Sequence, residues 1–135
     1  MYKADLDKNR KLVFVELLDE FTVDQAYEAT KDFWTKLASI GKNGYIICDL
    51  SKFKNGTRGA SVILQRIMKL VDSYDPTAVI RVINGYSGSM QFDRAYGAVG
   101  AEYKVCRVGT VKEAYEIVDS VSEIPCVFNK PPLKN

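Results

Sequence analysis

Residues 44–71 of the chain read GYIICDLSKFKNGTRGASVILQRIMKLV. The run Tyr45–Cys48 carries no charge, which is typical of a strand that is covered on both faces. A polar loop, Lys52–Arg58, is expected next, with Asn55-Gly56 as its turn signal. Beyond it, apolar residues recur at the i, i+3, i+4 and i+7 spacing of one helix face. In open α/β sheets, ligands and partners usually bind at such a junction of strand, glycine-bearing loop and helix.

Length and composition indicate one globular domain. The chain has 135 residues, enough for one sizeable core, and 47% of them are hydrophobic, which argues against disorder. Nineteen basic and seventeen acidic residues leave a net charge of +2. The charges are scattered without a basic stripe, so we expect no binding to nucleic acid. The longest uncharged run, Val82–Phe92, is too short to span a bilayer, so we expect no membrane span.

The cysteines, and the absence of histidine, limit the chemistry of the chain. Cys48, Cys106 and Cys126 are widely spaced and form no CxxC pair. We therefore expect no zinc-type metal site and no cofactor. Cys48 and Cys106 lie in strand-like runs, where a thiol usually packs as a small core residue. Free cysteines, and an N-terminus without an apolar signal segment, predict a cytoplasmic protein.

The order of the predicted elements indicates an α/β fold. Tyr2–Asp7 and Lys11–Leu18 read as two strands of an antiparallel hairpin. After the hairpin, helices and strands alternate, which predicts a mostly parallel sheet with four helices packed on it and right-handed crossovers. The first strand is then an antiparallel N-terminal edge. Residues 1–122 are expected to form the domain, and residues 123–135 a proline-containing tail that lies on the domain or against a partner.

Two capping boxes mark predicted helix starts. Thr22 with Gln25, and Thr110 with Glu113, have the spacing at which each side chain can satisfy the other residue's backbone N–H. In the helix that begins after Thr22, we expect Trp34 to pack in the core.

A second loop is predicted at the same edge of the sheet. The strand Ala78–Ile83 ends in the loop Gly85–Ser89, which precedes a short helix. If this strand neighbours Tyr45–Cys48, the two helix N-termini could share one anionic group, because backbone N–H groups there attract anions. The side chains that would line this site are those of Thr57, Arg58, Ser87 and Ser89. The alternative is that these are ordinary turn and cap residues.

Three segments carry a resemblance to a known family. Asp49-Leu50-Ser51 resembles the family's strand ending, Gly59–Leu64 resembles the start of its second helix, and Val99–Ala114 resembles its C-terminal third. On these residues, Tyr2–Val121 is similar to the STAS family, the sulfate-transporter and anti-sigma-antagonist domains of the SpoIIAA-like fold. The resemblance implies a regulatory domain without catalytic activity that binds a protein partner.

The chain departs from this family at its phosphorylation motif. Members regulated by phosphorylation carry an Asp-Ser-Ser-Gly type motif before the second helix, whereas this chain has Gly56-Thr57-Arg58 before Gly59. Arg58 then fills the phosphorylatable position, and Thr57 is the remaining candidate phosphosite. The alternative for Thr57 is a plain N-cap or loop residue. Resemblance to members without the phosphosite implies binding of apolar or anionic ligands instead.

The sequence therefore predicts a partner- or anion-binding edge. The residues expected to form it are Asp49, Ser51, Asn55, Gly56, Thr57, Arg58, Gly59, Ser87 and Ser89. A rival hypothesis is a carrier or sensor of a small anionic or lipid-like ligand, held by the two loops or by an apolar pocket under the Trp34 helix. A third is an enzyme in which Asp49 or a lysine activates Cys48 or Ser51. A carboxylate pair of Asp49 with Asp93 is the other possibility for catalysis, and nothing in the spacing demands it. The identity of the partner and a homodimeric state stay open.

Overall fold

The computed structural model describes residues 2–56, 59–84 and 87–120 of the chain. The strands are β1 (Tyr2–Asp7), β2 (Leu12–Phe21), β3 (Tyr45–Gly56), β4 (Ala78–Val82) and β5 (Val105–Val108). The helices are α1 (Val23–Ile40), α2 (Ala60–Ser73), α3 (Ser87–Val99) and α4 (Val111–Val118). The predicted tail, residues 123–135, lies outside the described residues, so its boundary stays a prediction.

The sheet has the predicted topology. Its strands follow the order β1-β2-β3-β4-β5. β1 is antiparallel to β2, and each later neighbouring pair is parallel. This confirms the expected mostly parallel sheet with an antiparallel N-terminal edge strand. Because β3 and β4 are neighbours, α2 and α3 begin at the same edge of the sheet, where parallel strands end.

Helices cover both faces of the sheet. On one face, buried residues of α1, α2 and α3 pack against β2, β3 and β4, and we call this layer the main core. On the other face, α4 packs through Ala114, Ile117 and Val118. Side chains alternate along a strand, so Val79 faces the main core while Ala78 and Ile80 face α4. The uncharged run at the start of β3, Tyr45–Cys48, follows from this burial on both faces.

Both predicted capping boxes are formed. The Thr22 hydroxyl accepts a hydrogen bond from the Gln25 backbone N–H, and the Gln25 side chain accepts one from the Thr22 N–H. Thr110 and Glu113 make the same reciprocal pair at the start of α4. These boxes fix where α1 and α4 begin, because they satisfy N–H groups that have no partner within the helix.

The prediction for Trp34 is wrong. Its side chain is 54% exposed, while the neighbouring Phe33 is buried in the main core. The buried face of α1 passes through Ala29, Phe33 and Leu37. Successive residues of a helix are about 100° apart, so Trp34 points away from the sheet.

Two predicted loops are partly regular structure. β3 continues to Gly56, so Lys52–Gly56 belongs to a strand rather than to a loop. β2 is long enough to pair with this extension, and its last residue, Phe21, is the partner of Gly56. Likewise α3 begins at Ser87, so the serines assigned to the second loop lie in the first turn of a helix.

Candidate functional site

The end of β3 is bent by two irregularities in its pairing with β2. Asp49 pairs with Glu16 and Lys52 pairs with Leu18, so β3 has one extra residue at this point. A second shift follows between Asp19 and Glu20 of β2. Extra residues of this kind are β-bulges, which bend a strand and re-aim its side chains.

Asp49 and Ser51 stabilise the first bulge. The carboxylate Oδ1 of Asp49 accepts hydrogen bonds from the Ser51 backbone N–H, at 3.0 Å, and from the Ser51 hydroxyl, at 2.7 Å. Asp49 is buried and Ser51 is half-buried. The Asp-Leu-Ser motif thus supplies a local side-chain cap for an irregular backbone. These two residues therefore stabilise the irregular backbone of β3 at this edge of the sheet.

Gly56 at the end of β3 is held by a side chain of α3. The Gly56 N–H donates to Gln91 Oε1 at 2.7 Å, and Gln91 Nε2 donates to the Gly56 carbonyl at 3.3 Å. A Cβ atom on Gly56 would lie 3.2 Å from the Cβ of Ala60 and 3.3 Å from Gln91 Nε2. The glycine therefore allows α2 and α3 to approach the strand end closely.

The first turns of α2 and α3 present apolar side chains to solvent. Gly59 is the N-cap of α2, with φ of 91°, and it makes no side-chain capping bond. Val62 in α2 is 51% exposed and Met90 in α3 is 47% exposed. We call this region the rim surface, defined by Gly56, Gly59, Ser61, Val62 and Met90. Exposed apolar side chains with polar residues around them are a feature that partner-binding surfaces share.

The structure describes part of the predicted site. Asn55 and Gly56 lie at the end of β3, Gly59 caps α2, and Ser87 and Ser89 lie in the first turn of α3. Thr57 and Arg58 lie outside the described residues, as do the side chains of Asn55, Ser87 and Ser89. The predicted site therefore stays a prediction, although its geometric condition, that β3 and β4 are neighbours, is met.

Asp49 and Asp93 have different partners. Asp49 accepts hydrogen bonds from Ser51, one of the two nucleophiles of the enzyme hypothesis, whereas Asp93 on α3 binds arginines. Burial raises the pKa of the Cys48 thiol to about 12, against the opposing effect of the Arg81 guanidinium. Cys48 is therefore a neutral thiol near pH 7 and a poor nucleophile. No group of metal-binding side chains occurs among the described residues.

The two cysteines of the described strands, Cys48 and Cys106, differ in their oxidation state. Cys48 is a free, buried thiol. Cys106 is buried as expected, but it is in a disulfide bond and not a free thiol. The prediction of free cysteines therefore holds for Cys48 and is wrong for Cys106.

The structure contains a charge cluster around the buried Arg81 that the sequence patterns do not predict. Arg81 of β4 is 1% exposed, and its Nη1 donates to Asp93 Oδ1 at 2.7 Å. Arg107 of β5, the pairing partner of Arg81, binds the same carboxylate oxygen. The signal that could have revealed it is a single charge inside the apolar run of β4, because a buried charge needs a partner.

Aromatic rings surround the Arg81 guanidinium. Its Cζ lies 5.5 Å from the centroid of the Phe92 ring and 5.9 Å from that of Tyr96. Such contacts favour a cation in a site from which water is excluded. The cluster lies on the main-core side of the sheet, next to Cys48, which pairs with Arg81 across β3 and β4.

An apolar cavity of about 70 Å³ lies beside this cluster, between the sheet and helices α1 and α2. Its walls include Val15, Phe33, Ile67 and Met68, and Arg81 is a charged residue in its lining.

Within the described residues, no helix is long and apolar enough to cross a membrane.

Several solved structures are similar to this chain, while no family model and no curated protein matches its sequence. An uncharacterized protein of the DUF3478 family from Shewanella loihica, with a SpoIIAA-like fold, superimposes with a TM-score of 0.65 at 9% identity, over 85% of this chain and 91% of that one. The anti-sigma factor antagonist SpoIIAA in its unphosphorylated form gives 0.60 at 14% identity, over 90% and 100%.

The third structure is the Bacillus cell fate determinant SpoIIAA in its phosphorylated form, with a TM-score of 0.52 at 14% identity, over 86% of this chain and 97% of that one. At such identities the likeness concerns the fold. The strand order, the antiparallel edge strand and the placement of the helices agree with a SpoIIAA-like α/β fold. The chain therefore has a SpoIIAA-like fold.

Proposed function

We propose that this chain is a non-catalytic regulatory domain that binds a protein partner through the rim surface. The observation that carries the proposal is the exposure of Val62 and Met90 at the starts of two neighbouring helices, above a strand end fixed by Gln91. The likeness to an anti-sigma factor antagonist supports a regulatory role. The similar structures named above are described as a regulator or as uncharacterized, which is consistent with the absence of catalysis.

Thr57 is the proposed site of phosphorylation, and Arg58 is the proposed anion contact beside it. A phosphate next to the N-terminus of α2 would be stabilised by the helix dipole and by an arginine. Intact mass analysis of protein purified from its own source tests this, and a Thr57→Val variant is the matched control. Unmodified protein under all growth conditions would contradict the phosphosite while leaving the partner surface in place.

The experiment for partner binding compares three glutamate variants in affinity purification from the native source. Ser61→Glu and Val62→Glu place a charge on the rim surface, whereas Ser39→Glu places one on the exposed side of α1. We expect the first two to lose the co-purifying partner and the third to retain it, with circular dichroism unchanged in all three. Retention of the partner by Val62→Glu would refute the rim surface.

Native mass spectrometry of the same preparations distinguishes a monomer, a homodimer and a complex with another protein.

A cytoplasmic location is part of this proposal. The Cys106 disulfide is an observation against that part, since disulfides are rare in the cytoplasm. Fractionation of the source cells decides it.

A further inference from the structure

The cluster beneath α3 carries one positive charge in excess. Arg81 and Arg107 both bind Asp93 Oδ1, so two guanidinium groups share one carboxylate. Arg81 Nη2 and Arg107 Nε are buried and have no hydrogen-bond partner. The Arg81 side chain is 2% exposed, whereas those of Arg107 and Asp93 are 27% and 20% exposed. The cost of an unbalanced charge and of an unpaired donor therefore falls mainly on Arg81. An anion would satisfy both demands at once.

The surroundings specify the kind of anion. The excess of a single charge matches a monoanion, and a planar carboxylate matches the planar fork of a guanidinium. Next to Arg81, the cavity walls are almost entirely apolar, with side chains such as Val15, Phe33 and Met68. The polar groups of the lining are those of Arg81, Tyr2, Cys48 and Tyr103. The rest of the cavity offers no hydrogen-bond partner to a water molecule, which needs several. The cavity therefore suits a hydrocarbon group joined to the anion.

From this geometry we propose that Arg81, which lines the cavity, binds the carboxylate of a small amphiphile, whose apolar chain occupies the cavity between the sheet and helices α1 and α2. Arg107 holds the other side of the shared Asp93 carboxylate. The cavity of about 70 Å³ encloses only a few carbons of the chain, so the end of a longer chain would extend beyond it. This size is below that of an engineered apolar cavity of about 150 Å³ that binds benzene. The site is separate from the rim surface and does not depend on the proposed function.

The test uses hexanoate as the probe, with acetate as the head-only control and 1-hexanol as the chain-only control. Binding is measured by isothermal calorimetry and by thermal stabilisation, since a ligand selective for the folded state raises apparent stability. We expect hexanoate to bind at least about tenfold more tightly than acetate or hexanol, because it alone satisfies both halves of the site.

Arg81→Met removes the headgroup contact and keeps the apolar stem of the side chain. Asp93 retains Arg107 in this variant, so we expect it to fold. Its affinity for hexanoate should fall about ten- to a hundredfold, the usual effect of losing a hydrogen bond to a charged group. Arg66→Met, at an exposed position of α2, is the matched control and should bind within about twofold of the wild type.

Ala29→Leu fills the cavity from the α1 side and leaves the arginines in place. We expect it to fold and to lose hexanoate binding. The proposal is overturned if the wild type does not bind hexanoate at about 10 mM, where a millimolar complex would be largely saturated. The proposal is also overturned if acetate or hexanol binds as tightly as hexanoate. Hexanoate affinity of Arg81→Met or of Ala29→Leu equal to that of the wild type overturns it too.

Discussion

Arg10, in the turn between β1 and β2, joins the first hairpin to the last helix. Its Nε donates to Asp119 at 2.7 Å and its Nη1 donates to Asp7 at 2.8 Å. The guanidinium also lies 5.5 Å from the centroid of the Tyr115 ring. The hydrogen bonds from Arg10 are the main cause of a lowered pKa at both carboxyl groups.

We expect Arg10→Gln to reduce the free energy of unfolding at neutral pH and to have a smaller effect in acid. A carboxylate with a lowered folded pKa stabilises the fold above its unfolded pKa, here 3.8, and this contribution is lost as the pH falls through the lower folded pKa. Urea unfolding at about pH 7 and about pH 2.5 measures the difference. Arg66→Gln serves as the control, and an Arg10→Gln effect of the same size at both pH values would contradict the argument.

Two glycines at exposed positions should respond in opposite ways to alanine. Gly59 has φ of +91°, and an added Cβ would lie 3.1 Å from Val23 Cγ2. Gly59→Ala should therefore cost about 1–2 kcal/mol. Gly97 lies inside α3 with nothing within 4 Å of its added Cβ, so Gly97→Ala should gain about 0.5–1 kcal/mol of helix stability. Thermal and urea unfolding of both variants check the two signs, and a shift of the same sign would show that backbone conformation does not decide the effect.

At the scale of elements, Gln91 links α3 to the end of β3. Its side-chain amide both donates to and accepts from the backbone of Gly56. Gln91→Leu keeps the approximate size and removes both hydrogen bonds. We expect a loss of about 1–3 kcal/mol, since the Gly56 N–H and carbonyl lose their partner.

Hydrogen exchange locates this effect. The Gly56 amide should exchange faster in Gln91→Leu, while amides in the middle of β4 exchange as in the wild type if opening is local. Gln65→Leu, at a half-buried position of α2, is the matched control. Unchanged protection at Gly56 would mean that the strand end is held without Gln91, and the rim surface would lose its proposed support.

At the scale of the whole molecule, the main core and the α4 layer share one sheet. Leu37 of α1 is 1% exposed and packs in the main core. Leu37→Ala should cost about 2–5 kcal/mol, because the lost contacts leave a cavity that closely packed neighbours fill incompletely. Val62→Ala, at an exposed position, should cost less than about 0.5 kcal/mol.

Urea unfolding followed by circular dichroism and by Trp34 fluorescence tests whether the fold behaves as one unit. We expect coincident transitions and an unchanged slope with urea in Leu37→Ala, as in small single domains. Two separate transitions would show that the α4 layer unfolds independently of the main core.

The sequence by itself determined the features that depend on near neighbours in the chain. The two capping boxes, the alternation of strands and helices, and the buried strands follow from patterns spanning a few residues, and the structure confirms them. The prediction for Trp34 was wrong because one residue along a helix changes the direction of a side chain by about 100°. The strand extension to Gly56 was missed because it depends on pairing with a distant strand.

The tertiary structure alone decided the Arg81–Asp93–Arg107 cluster and the cavity beside it. Arg81 and Arg107 become neighbours through the register of β4 with β5, and Asp93 reaches them from α3. A local pattern carries no information about register, since register is set by the packing of the whole sheet. The sequence thus specifies the elements and their order, whereas the cluster around buried Arg81, and with it the proposed ligand site, arises where β4, β5 and α3 meet.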